Sequence, residues 1–259
     1  MLGKRNSDAE RIRRSLILNM PKKKKSCSYE LIDCSHFITE KIPTWDGTSG
    51  LKYEVVMDYD KGFRVQKLHM LAGLSTHIDA PSHCKKGGQN VASIPLQNLF
   101  CPFVVIDVSK KSSPDLIVSL DDIKNYEKKF GKILPGSFVA INTGWHRFWN
   151  NPKKYRNVGG DKKMHFPSVS TACARYLLVC SIAGLGIDTL SPDGPDLTFP
   201  VHKLLLRNNC YIVENLAFPK KQFCRTAFSV IAPLKLKNGS ESPVRVFVVE
   251  TPSSQEIGQ

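Results

Sequence analysis

Residues 76–83 read Thr76-His77-Ile78-Asp79-Ala80-Pro81-Ser82-His83 and place two imidazoles and one carboxylate within seven residues. Side chains two apart on an extended segment point to the same side. His77 and Asp79 are therefore expected to project together. Pro81 fixes its own φ and restricts Ala80 before it. The chain is expected to bend there and to bring His83 back towards the same point. Three donor groups converging on a rigid turn suit a divalent metal and, through it, hydrolytic chemistry.

One short stretch does not close a metal site, and the C-terminal half offers the complement in Phe199-Pro200-Val201-His202 and Val213-Glu214-Asn215. His202 opens a short helix of roughly 10 Å at about 1.5 Å per residue. The strand ending at Glu214 returns about 10–13 Å at ~3.3 Å per residue. The two lengths match, so His202 and Glu214 are expected at one edge of a sheet, where open α/β sheets bind ligands. The ligand inventory is His77, Asp79, His202 and Glu214, with His83 nearby. Mixed imidazole and carboxylate donors suit Zn²⁺ first and Mn²⁺ second.

Outward from these clusters the pattern alternates between β-type and helical runs. Strands are expected at residues 29–34, 103–108, 137–142, 182–187, 211–213, 228–232 and 244–249. Helices are expected at residues 119–130, 169–180 and 201–207. Ser119-Leu120-Asp121-Asp122 has the form of a capping box. A strand pair over residues 53–59 and 63–71 turns at Asp60-Lys61-Gly62. The reading is a single α/β domain with a mixed β-sheet, and the early hairpin argues against a purely parallel one.

The 259 residues are 41% hydrophobic, enough for a sizeable core. No stretch approaches the roughly 18 apolar residues that a membrane span needs, and no secretory signal is read at the start. A cytoplasmic protein is expected. The eight cysteines are scattered without a C-x-x-C pair, which favours core thiols over a disulfide framework. Of the net charge of +14, residues 1–26 carry nine basic and two acidic residues, a net +7. This segment reads as a flexible basic arm, with 27–259 as the domain. An electrostatic hook for nucleic acid or anionic lipid is the sharper reading, but the arm has no aromatic residue for base stacking, and no specific nucleic-acid partner is expected.

The stretch Thr76–His83 resembles the core of an H-x-G-T-H-x-D-x-P-x-H motif. That motif belongs to the metal-dependent cyclase/hydrolase family, which includes bacterial kynurenine formamidases and isatin hydrolases. Further blocks follow in family order: Ile94-Pro95-Leu96, Val104–Val108, Asn142-Thr143-Gly144-Trp145, Gly186-Ile187-Asp188-Thr189, Phe199–His202, Glu214-Asn215-Leu216 and Ala232–Leu236. The resemblance implies a swivelling β/β/α fold, a homodimer or homotetramer, a small-molecule substrate, and one or two divalent metal ions per chain. It implies metal ligation by His77, Asp79, His202 and Glu214, with Asp79 able to bridge two ions. It makes His83 the acid/base residue. Trp145 falls in a block near the family's site, where it would line a substrate pocket, with core packing as the alternative; Asp188, at the end of a buried strand, is a second substrate-site candidate that would orient a ligand or cap the following turn.

One family position departs. The motif's first histidine is Gly73 here, and its glycine is Ser75. Either one metal is held, or the second is weak, or Cys84 or His69 fills the gap. The expected activity is hydrolysis of an amide, formamide or cyclic amide, such as an N-formylkynurenine-like or isatin-like molecule. The departure at Gly73 keeps a second reading open, a catalytically degenerate member that binds metal or a small molecule.

Overall fold

The computed structural model describes residues 29–250 except Lys221. The basic segment 1–26, Cys27 and the end of the chain lie outside the described residues. Among the described residues the strands are β1 (Glu30–Asp33), β2 (Leu51–Met57), β3 (Val65–Met70), β4 (His77–Asp79), β5 (Phe100–Asp107), β6 (Ile117–Val118), β7 (Phe138–Asn142), β8 (Ser168–Val169), β9 (Gly184–Ile187), β10 (Tyr211–Glu214), β11 (Phe228–Pro233) and β12 (Glu241–Glu250). The α-helices among the described residues are α1 (Leu96–Leu99), α2 (Leu120–Phe130), α3 (Pro152–Arg156), α4 (Thr171–Val179) and α5 (Pro200–Arg207).

Eight strands form one sheet in the order β1-β12-β11-β5-β7-β9-β10-β4, and β12 also pairs with β4. That last pairing joins the sheet into a barrel-like ring. The centre, β5-β7-β9-β10, is parallel. The flanks, through β11, β12 and β4, are antiparallel. The mixed α/β sheet read from the sequence is present, but for a different reason. The early hairpin, β2 with β3, forms its own two-stranded sheet. The antiparallel character of the main sheet comes instead from strands distant in sequence.

Alternation along the strands divides the core. Phe138 and Ala140 join Ile78, Phe103, Tyr211, Val213, Val244, Val246 and Val248 in one buried cluster. Val139 and Ile141 join Leu185, Ile187 and Ile212 on the opposite face. There α2, α4 and α5 cover them with Ile123, Leu177, Leu205 and Leu206. Each fully buried Ile or Leu of this kind contributes about 1.5–3 kcal/mol over its exposed state. The helix-covered face is the one that carries the site.

Candidate metal centre

β4 is three residues long, HID, and it lies between β10 and β12. Its register is decisive. Glu214 of β10 stands opposite His77, and Glu241 of β12 stands opposite Asp79. Directly opposed residues share a face, and so do residues two apart on one strand. His77, Asp79, Glu214 and Glu241 therefore all project to one side. The contacts follow: His77 Nε2 lies 3.5 Å from Asp79 Oδ1 and 3.4 Å from Glu214 Oε2.

His202 arrives from α5. The first turn of a helix has N–H groups without partners inside the helix, and here Asp193 accepts two of them, from Val201 at 2.6 Å and from His202 at 3.1 Å. The same carboxylate accepts from His202 Nδ1 at 2.6 Å. That contact leaves Nε2 facing the cluster, 3.5 Å from Asp79 Oδ2 and 3.1 Å from Glu214 Oε1. On the other side, Nδ1 of His77 donates to the Ser75 carbonyl at 2.9 Å. Fixing the outer ring nitrogen so that the inner one faces a cation is the usual outer-sphere arrangement of histidine ligands. Ser75, at the motif's glycine, has φ +60°, a backbone state that favours glycine.

After β4, Pro81–His83 forms a 3₁₀ turn, the bend expected from Pro81. It brings the His83 ring to 6.2 Å from the His202 ring. His83 is partly exposed, and its Nδ1 lies 3.4 Å from Glu241 Oε2.

His77, Asp79, His202 and Glu214 are each 5% exposed or less. Burial opposes charge on His202, but Asp193, Asp79 and Glu214 outweigh it and hold its pKa well above the ordinary value. The same contest, with Asp79 and Glu214 as partners, raises His77. Burial would raise Asp79, yet His77 and His202 bring it below its ordinary range. Burial and the adjacent Asp79 charge push Glu214 up. The protons of this cluster thus serve as counter-charge, which a cation would displace on binding.

The donor set fits a divalent cation on a structural observation. Both carboxylate oxygens of Asp79 and Oε1 of Glu214 are buried without a hydrogen-bond donor; the His202 ring is within ion-pair distance but lacks hydrogen-bond geometry. Buried, unpaired anionic oxygens are costly. Ligand atoms of Asp79, His202 and Glu214 lie within 4.8 Å of one another, and so do those of His77, Asp79 and Glu241.

The Cyclase family model matches residues 32–194, more than half of the chain. The chain belongs to the Cyclase family. An isatin hydrolase of Roseibium aggregatum is 32% identical over 185 residues, 67% of this chain and 70% of that protein. A kynurenine formamidase of Bacillus cytotoxicus is 26% identical over 223 residues, 85% and 97% of the two chains. Among solved structures, an isatin hydrolase bound to the product analogue thioisatinate superposes with a TM-score of 0.80 at 25% identity, covering 95% of this chain and 99% of that one. The sequence resemblance, and with it the expectation of a hydrolase, is borne out.

The structure brings His77, Asp79, His202 and Glu214 together and sets His83 beside them. Cys84 is half-buried against the helix-covered core and stands in neither donor group; burial raises its thiol pKa, which opposes thiolate ligation. His69 sits on the β2–β3 hairpin, 3.3 Å from Glu54. Trp145 is buried in a satellite core, its Nε1 donating to the Tyr155 carbonyl at 2.8 Å. Asp188 is fully buried and accepts from Thr143 N, Thr143 Oγ1 and His146. It clasps the ends of β7 and β9, leaving His146 as the polar group it holds towards Phe218. Sequence reasoning missed two residues. They are Asp193, in the turn-forming stretch Asp193-Gly194-Pro195-Asp196, and Glu241. Asp193 lies nine residues before His202 with prolines between, which signals a loop but not its direction.

Proposed function

We propose that this chain is a metal-dependent hydrolase that cleaves a non-peptide C–N bond in a small amide, formamide or cyclic amide. The observation that carries the reading is the convergence of His77, Asp79, His202 and Glu214 around buried oxygens that lack donors. Mixed nitrogen and oxygen donors favour Zn²⁺, with Mn²⁺ next. The chemistry supplied by a divalent cation there is polarisation of a carbonyl and activation of water near neutral pH.

The chain's own residues do the rest. His77, Asp79, His202 and Glu214 would supply the metal ligands, with Asp193 orienting His202. His83, partly exposed beside the cluster, takes the proton from water and delivers it to the leaving nitrogen. Its imidazole is held above the ordinary value by Glu241, whose contact outweighs burial. The relatives named isatin hydrolase and kynurenine formamidase favour isatin-like and N-formylkynurenine-like substrates. A cavity of about 640 Å³ near Phe130 and Arg225 includes none of the clustered residues; donor chemistry, not cavity size, identifies the site.

Three further parts belong to this reading. The swivelling β/β/α arrangement is the fold proposed for residues 27–259, with 1–26 as a separate basic arm. A homodimer or homotetramer is proposed, supported by the β2–β3 hairpin. Its strands are exposed almost throughout, with Tyr53, Val56, Leu68 and Met70 open to solvent, and an isolated hairpin is marginal without cover. A cytoplasmic setting is proposed; no helix among the described residues is long and apolar enough to cross a membrane. Elemental analysis of the purified protein, with turnover of N-formyl aryl amines, isatin and lactones, tests the main reading. Protein without metal and without turnover overturns it. Metal without turnover favours a binding role.

A further inference from the structure

We propose that Glu241 is a metal ligand: with His77 and Asp79 it forms a second cation position beside the one held by Asp79, His202 and Glu214, in space that Gly73 leaves open. The inference rests on reading the cluster as a divalent-cation centre.

Four observations carry it. The register places Glu241 directly opposite Asp79, on the face where His77 and Glu214 also point. Backbone bonds hold it there, since Ala80 N–H donates to the Ser240 carbonyl at 2.8 Å and Val244 N–H to the Thr76 carbonyl at 3.0 Å. A Cβ added to Gly73 would land on Glu241 Oε1 and lie 3.4 Å from His77 Nε2. The absent side chain is thus what admits the carboxylate, and the carboxylate occupies the direction a residue at 73 would take. Asp79 supplies the third point. Its two buried oxygens, both without donors, divide between the groups, Oδ1 towards His77 and Oδ2 towards His202. A carboxylate placed this way could serve two cations of a paired site. Charge is the fourth argument. Asp79, Glu214 and Glu241 share this space, and one divalent cation leaves a negative charge uncompensated in a largely buried site. Glu241 also reaches His83 through Oε2, so one side chain ties the second position to the proton-transfer residue.

Full-length protein, stripped and reloaded with Mn²⁺ or Zn²⁺, is assayed for bound metal per chain by elemental analysis and calorimetric titration. Wild type is expected to hold two ions. Glu241→Ala and the near-isosteric Glu241→Gln are expected to hold one, with circular dichroism reporting the fold. The pair Gly73→His with Glu241→Ala is expected to regain the second. Two ions retained in both Glu241 variants overturn the proposal and leave Glu241 as a positioning residue for His83. One ion in wild type and in both variants overturns the second position alone. No bound metal in wild type sinks this proposal together with the hydrolase reading.

Discussion

His83 differs from its neighbours in exposure. The other histidines of the cluster are buried against carboxylates, whereas His83 faces partly outwards, with Glu241 at ion-pair distance. His83→Ala is therefore expected to reduce turnover by about 10²–10⁴-fold while the metal content stays at the wild-type value; steady-state kinetics with elemental analysis checks both. Asp193→Asn should act in the opposite way, since it loosens the His202 ring. Metal affinity is expected to fall by about 10–100-fold, read by titration with a chelating indicator. A third residue governs pH dependence away from the centre. His36 stacks on Trp149 at 4.1 Å between ring centroids. Burial, then the nearby His146, lowers its pKa from 6.5 to about 4. The unfolded chain binds a proton there below pH 6.5 that the folded chain refuses until about pH 4. Its contribution is thus fully present above pH 6.5 and is lost as the pH falls towards 4. His36→Phe should flatten that part of the stability–pH curve, measured by denaturant midpoints. At this scale the sequence was legible wherever donor spacing was local. His77, Asp79 and His83 fall within seven residues, in β4 and the turn that follows it. Glu241 lies more than 150 positions from the partner it faces, and nothing near it in the chain marks it.

The elements were read well where their ends carry chemistry. α2 begins at the capping box expected from Ser119 and Asp122, with both reciprocal bonds present. It ends at Phe130, before Gly131 with φ +91°. Ser119→Ala should cost about 1 kcal/mol, checked by urea unfolding. Asp122 adds an acid-sensitive part. Burial would raise its carboxyl, but Lys111 and Ser119 outweigh that and hold it below its ordinary range. A depressed carboxyl stabilises above its unfolded pKa and loses that contribution as the pH falls through the folded value. Asp122→Asn should therefore destabilise at neutral pH and converge with wild type in acid. β4 was read only as an extended segment because three residues carry no periodicity. Its strand character comes from pairing on both edges. α5 lacks a capping side chain at Phe199; Asp193 supplies the cap from the preceding loop, and that function is invisible in local sequence.

At the scale of the molecule, the centre ties strands from both ends of the domain into one ring. β4, β10 and β12 meet around the same cations in the proposed reading, so metal should contribute to global stability. An ion at about 100 times its dissociation constant adds roughly 2.7 kcal/mol. For a domain of this size that is on the order of 5–10 °C in Tm, read as the difference between melts in Mn²⁺ or Zn²⁺ and in excess chelator. No difference would separate the cluster from ion binding. The sequence by itself determined the alternation of strands and helices, the donor types and the turn at Pro81, because backbone preference and side-chain chemistry are local properties. Only the tertiary structure decided that the sheet joins through β12 and β4, that the early hairpin stands apart, and that Glu241 faces Asp79. Strand order and register arise from pairing between distant segments, and a linear pattern holds no record of which edge meets which.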